Sequence, residues 1–191
     1  NKILMPAVDF DSTDPGSYKS RANQVYSTGQ FAQLLKDSPT TTLNGITYVT
    51  GNAHIKKGQA LIINGVLVSD GTITIGNGFS SESTPATLDV NHVAGQPSGV
   101  LAKNNITVGG FSSNMTVDGL VYSGGSFTLM GGNWSEGVSL IINGGIISQN
   151  IDLFSMWLPV NITLNQPYIN ETLGSPIFSQ VLSINHWEEE Y

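Results

Sequence analysis

The side chains that could do chemistry are few and scattered. Asp9-Phe-Asp-Ser-Thr-Asp14 sets three carboxylates within six residues. Asp9, Asp11 and Asp14 are the candidate cation ligands, because calcium is held by several oxygens on a flexible loop. The run has no acid at its fifth place and no distal Glu, so the opposing reading is a solvated loop whose Asp14 starts a helix. His54, His92 and His186 lie far apart, with no second histidine at ligand spacing. No G-x-S-x-G elbow and no G-x-x-x-x-G-K-[ST] phosphate loop occurs. Trp134, in the polar run Gly131-Gly-Asn-Trp-Ser-Glu136, is the candidate for stacking on a sugar ring. Trp157 and Trp187 read as packing residues at corners or ends.

Basic and acidic groups do not converge either. Arg21 is the one arginine, and Lys56, Lys57 and Lys103 are the cations beyond residue 39. Asp70, Asp89, Asp118, Glu136 and Asp152 stand singly, and Asp70 and Asp118 occupy turn positions where a carboxylate bonds nearby backbone. A polysaccharide lyase needs clustered acids and a neighbouring cationic base. The expectation is therefore a protein that is not an enzyme and carries no cofactor.

Composition narrows the partners. Lys+Arg 7 against Asp+Glu 14 gives −7, the wrong sign for displacing counterions from nucleic acid or docking on anionic lipid. There is no cysteine among the 191 residues, so disulfides, thiol nucleophiles and Cys-ligated zinc are excluded. No apolar run is long enough to span a bilayer. The chain starts at Asn1, and any leader or membrane anchor is expected before it. Five N-x-[ST] sequons stand at Asn105, Asn114, Asn133, Asn161 and Asn170. The acidic end Glu188-Glu-Glu-Tyr191 reads as a solvated terminus.

Two textures divide the elements that must position these groups. Residues 1–38 read as a helical preamble. An extended stretch from Ile3 to Phe10 precedes a first short helix, which starts at Asp14-Pro-Gly-Ser17 and carries Tyr18, Ala22, Val25 and Tyr26 at i, i+4, i+7 and i+8. Thr28-Gly29 ends it. Phe31, Leu34 and Leu35 mark a second helix, which stops before Pro39. Residues 39–191 form the rest of a single domain, ending in a C-terminal cap. There Gly, Asn, Ser and Thr punctuate short Val, Ile and Leu runs, the signature of strands.

The decisive feature is a repeat. Gly45-Ile-Thr-Tyr-Val-Thr-Gly-Asn-Ala-His-Ile55 recurs as Gly65-Val-Leu-Val-Ser-Asp-Gly-Thr-Ile-Thr-Ile75 and as Gly119-Leu-Val-Tyr-Ser-Gly-Gly-Ser-Phe-Thr-Leu129. Copies one residue shorter open at Gly99 and Gly144. The steps between opening glycines are 20, 34, 20 and 25. A step near 20 is one coil of a β-solenoid, with short strands joined at tight bends and each coil stacked on the last. Gly45, Gly65, Gly99, Gly119 and Gly144 are the structural turn glycines, four of them behind Asn or Asp. Five to seven coils at about 4.8 Å each give a stack of about 24–34 Å. The long step places a surface excursion within residues 76–98. Ile73 and Ile75, Phe127 and Leu129, and Ile151 and Leu153 are expected to face the core. The alternative is an antiparallel β-sandwich, because Leu61-Ile-Ile-Asn-Gly-Val-Leu-Val68 is also a strong hairpin signal. The repeat at 20 favours the solenoid, since hairpins fix neighbours within ten residues.

Three segments together resemble the soluble C-terminal domain of PilX-type, type IV pilus-associated prepilin-like proteins. They are Met5-Pro-Ala-Val-Asp-Phe10 with Tyr18 behind it, Leu43-Asn-Gly-Ile-Thr-Tyr-Val-Thr-Gly-Asn-Ala-His-Ile55, and the ending Val181-Leu-Ser-Ile-Asn-His-Trp-Glu188. The resemblance implies a right-handed parallel β-helix at the cell surface, without enzymatic chemistry. It also implies a prepilin leader and membrane helix before this region, so that any membrane contact runs through a segment absent from this chain. The expected function is an extracellular structural or adhesive module of a pilus-like assembly, presenting the loops at 76–98, 109–114 and 131–137. Its partners would be other pilus or surface proteins and host or surface glycans. The alternatives are a carbohydrate-binding or carbohydrate-cleaving β-helix and a self-assembling solenoid of bactofilin type. The preamble is expected to cover one end of the stack and residues 155–191 the other.

Overall fold

The computed structural model describes residues 5–76, 84–109, 113–130, 138–154 and 160–174. Over these the chain winds as a parallel β-helix of about five coils. The strands are β1 (Gln24–Ser27), β2 (Thr40–Thr50), β3 (Ala53–Ile55), β4 (Ala60–Ser69), β5 (Ile73–Ile75), β6 (Ala86–Asn91), β7 (Gly99–Ala102), β8 (Ile106–Gly109), β9 (Ser113–Met130), β10 (Val138–Phe154) and β11 (Val160–Leu164). Helix α1 spans Thr28–Asp37 and α2 spans Gln166–Leu173. All described strand pairings are parallel, which excludes the sandwich.

Each coil has three faces. The first stacks Leu43, Ile63, Val90, Val117, Ile142 and Ile162 in one inward column. The second stacks Thr47, Leu67, Val100, Val121 and Ile146. The third stacks Ile55, Ile75, Val108, Leu129 and Leu153. Polar residues such as His54 and Thr74 alternate outward on the third face. The second face is different, because its outward residues Ile46, Tyr48, Val66, Val68, Leu101 and Leu120 are buried too. They lie under a strap formed by Met5, Val8, Phe10, Tyr18 and Ala22, joined by Ile169 and Leu173 of α2.

Asn44-Gly45 and Asn64-Gly65 bend the strand around a corner without reversing it, and Gly45 and Gly65 are register partners. Gly65 adopts φ 134, and a Cβ there would stand 2.5 Å from the Gly45 carbonyl oxygen. Only glycine lets two rungs approach so closely at a bend. The corner side chains form a ladder. Asn64 Nδ2 donates to Asn44 Oδ1 at 2.8 Å, and Asn91 Nδ2 donates to Asn64 Oδ1 at 2.9 Å. Asn143 Nδ2 continues it, donating to Asp118 Oδ1 at 3.2 Å.

Several expectations need correction. No helix covers Tyr18 to Tyr26. Gln24–Ser27 is β1, the first rung of the second face, paired with Thr47–Thr50 of β2. The backbone hydrogen bonds of a parallel rung outweigh the apparent stripe, and Val25 is exposed while Tyr18 is buried. A strand of the sheet thus lies before residue 39. The excursion at 76–98 is also interrupted, since β6 is a rung between β4 and β9. The extra residues fall on either side of it, and part of them, 77–83, lies outside the described residues. Gly99 stands one place off the glycine column, paired with Val66 and Leu120. Ile151 and Leu153 share the register of the core columns yet are exposed.

The second expected helix is present as α1. Ser27 caps it, with Gln30 N donating to Ser27 Oγ and Ser27 N donating to Gln30 Oε1 at 2.9 Å. Phe31 and Leu35 are buried against the N-terminal end of the core.

Candidate functional site

The acidic loop is tied up internally. Asp9 accepts from Ser12 N at 3.1 Å and from Ser12 Oγ at 2.5 Å. Asp14 Oδ1 accepts from Gly16 N at 2.6 Å. Asp11 pairs with Lys103 Nζ at 2.8 Å and 3.0 Å, and that bond raises the Lys103 pKa. The three carboxylates face three different partners, and no group of metal ligands forms among the described residues. Their work is to fix the strap. Two turns hold its shape, and the Asp11–Lys103 pair pins it to the coil beyond β7.

Asp70 and Asp118 act between coils instead of within a turn. The Asp70 carboxylate accepts from the Gly51 amide one coil away, and Asp118 belongs to the corner ladder. Trp134, Trp157 and Trp187 lie outside the described residues, as does the loop at 131–137. Of the loop at 109–114, Ser113 and Asn114 belong to β9.

Two arrangements were not foreseen from sequence. The first is a shallow groove of about 250 Å³ beside α1, lined by Gln33, Lys36, His54, Lys56 and Gln59. Lys36 and Lys56 bring two ammonium groups to it, suited to carboxylate or sulfate groups, while the Gln33 amide donates to Asp37 Oδ1 at 2.6 Å and Gln59 Oε1 accepts from Lys56 N at 2.9 Å. The sequence signal was the Lys56-Lys57 pair, but nothing in spacing linked it to Lys36.

The second arrangement joins α2 to the loop at 92–98. The His92 ring stacks on Tyr168 at 3.9 Å. His92 Nδ1 lies 3.0 Å from Ser98 Oγ, and its Nε2 lies 3.5 Å from Glu171 Oε2. Beneath them Ser98 N donates to Thr172 Oγ1 at 3.1 Å, which donates in turn to the Ser98 carbonyl at 2.8 Å. These contacts lock a loop that follows the corner residue Asn91, where the coil below has Gly65.

No family model, curated protein or solved structure matches the chain.

The strap closes over the same side. Tyr122 donates to the Pro6 carbonyl at 3.0 Å, and Tyr18 donates to the Thr172 carbonyl at 2.5 Å. Burial raises the Tyr18 phenol, with Arg21 opposing it. Burial also raises Tyr122. Tyr48 is raised first by burial, then by the carboxylates of Asp70 and Asp11. Among the described residues no helix is long and apolar enough to cross a membrane.

Proposed function

We propose that the chain is a structural and adhesive module of an extracellular, pilus-like assembly, working by presentation and not by catalysis. The observation that carries this reading is the all-parallel pairing from β1 to β11, with inward columns buried through most of the stack. Close packing of this kind transmits load and holds inserted segments in fixed relation. The loop at 92–98 is such an insertion, clamped by α2. The three segments that resemble PilX-type proteins add the assembly and the compartment. An endless bactofilin-like filament needs two open ends, and α1 lies across one of them.

The test is made in cells with an antibody against the folded chain. Expected is labelling of intact cells and co-purification with sheared fibres. A chain confined to the cytoplasm would overturn the reading.

A second reading, binding of an acidic glycan, rests on the Lys36–His54–Lys56 groove. An array of sulfated and uronic-acid glycans decides it. Binding there should be lost in Lys36→Ala/Lys56→Ala, and a blank array removes this reading without touching the first.

A further inference from the structure

The groove beside α1 opens onto the third face. His54, which lines it, is the lowest member of the outward column on that face. Register carries the column from His54 through Thr74, Thr107 and Thr128 to Asp152, one residue per rung. The three threonines are part-exposed. Their neighbours Ile75, Val108 and Leu129 are buried in the core, and strand alternation turns the threonine side chains outward.

This face is held in step at its edge. Asn52 Oδ1 accepts from Thr72 N at 2.9 Å, and Asn105 Oδ1 accepts from Ser126 N at 2.9 Å. Each bond ties one rung to the next. Successive threonines therefore stand about 4.8 Å apart, and the climb from His54 to Thr128 covers about 14 Å.

Charge sets the direction and the limit. Lys36 and Lys56 stand at the lower end. The threonines are neutral, and Asp152 puts a carboxylate one rung above Thr128. A threonine hydroxyl both donates and accepts, so it meets a sugar hydroxyl in either sense. We propose that the groove is the first subsite of a longer track for a linear acidic glycan lying along the stack axis. An acidic sugar sits on Lys36 and Lys56, and the sugars that follow lie over Thr74, Thr107 and Thr128. The proposal rests on the acidic-glycan reading of the groove and deepens it: the ligand is a stretch of several sugars and not a single one.

The test uses the full chain with size-graded oligomers, disaccharide to octasaccharide, of polygalacturonate and of a sulfated glycosaminoglycan, and reads binding by calorimetry. Expected is weak binding of the disaccharide, affinity that climbs until the chain covers the three rungs, and no gain beyond. A longer polyanion also gains by offering more registers, so variants at Thr107 decide. Thr107→Lys should strengthen and Thr107→Asp weaken octasaccharide binding, the two standing about tenfold apart, with the disaccharide unchanged. Thermal melting checks that each variant folds, and each is compared separately with the natural chain, so either one suffices. Equal affinity at all lengths, or octasaccharide binding indifferent to Thr107, overturns the track and leaves the groove reading standing. Oligoglutamate that binds as tightly as the octasaccharide overturns the glycan as ligand. No binding by any oligomer overturns track and groove together.

Discussion

The Tyr18 hydroxyl donates to the Thr172 carbonyl oxygen at 2.5 Å, joining residues 154 places apart in a buried site. This bond fastens the N-terminal strap to α2 across the outside of the second face. Tyr18→Phe keeps the ring and removes the donor, taking this bond from the buried Thr172 carbonyl. The expected cost is about 1–3 kcal/mol. It should read out as a lower denaturation midpoint and as faster exchange of α2 amides, with β4 and β9 unaffected. Equal exchange in α2 would show that the strap and the helix are held independently.

Alkaline pH tests the same buried side. The phenols of Tyr18, Tyr48 and Tyr122 are raised above their ordinary value, chiefly by burial. In the unfolded chain each ionises near pH 10, approximately. The folded state resists losing these protons, so their contribution to stability is complete below about pH 10 and is lost as pH rises through the raised folded values. Denaturant midpoints should be flat from pH 8 to 9.5 and then fall steeply. Tyrosinate absorbance should show some of the six tyrosines titrating only as the chain unfolds. Titration of all six together near pH 10, with stability unchanged, would contradict the burial.

Much of the fold was legible because a stack repeats its chemistry. Gly45 and Gly65 sit in one column, and so do Gly119 and Gly144, as the 20- and 25-residue steps required. The strand β1 was not legible. Val25 and Tyr26 matched a helical stripe, and only β2 beside them turns that segment into a rung. The two-sided burial of the second face did leave a trace. Val66-Leu-Val68 and Leu120-Val-Tyr122 are continuous apolar runs and not alternations, as strands covered on both sides require. The groove at Lys36, His54 and Lys56 and the His92–Tyr168 stack unite distant residues through α1 and α2. No local spacing encodes where those helices lie.

The corner ladder makes a prediction about charge. Asn64 both donates to Asn44 and accepts from Asn91. Asn64→Asp keeps the acceptor and replaces the donating amide with a carboxylate, facing the Asn44 oxygen. The expected loss is about 1–2 kcal/mol at pH 7. A protonated acid can donate again, so the difference from the natural chain should shrink below about pH 4. Asn64→Ala, which cannot titrate, should lose a similar amount at both pH values. Thermal unfolding of the three proteins at pH 3.5 and pH 7 separates these outcomes.

Thr47 offers a change in the opposite direction. It is fully buried, and its Oγ1 has no hydrogen-bond partner. Its column continues through Leu67, Val100, Val121 and Ile146, all apolar. A hydroxyl in that setting has given up water without compensation, which costs about 1–3 kcal/mol. Valine has nearly the same shape and the same branched Cβ, suiting it to a strand. Thr47→Val should therefore raise the denaturation midpoint, with a gain of about 1 kcal/mol. Thr47→Ser keeps the unpaired hydroxyl and opens a methyl-sized void, so it should lose stability by about 1 kcal/mol. If valine proves no more stable than threonine, the Thr47 hydroxyl has a partner in solution, and this rung is less dry than its neighbours.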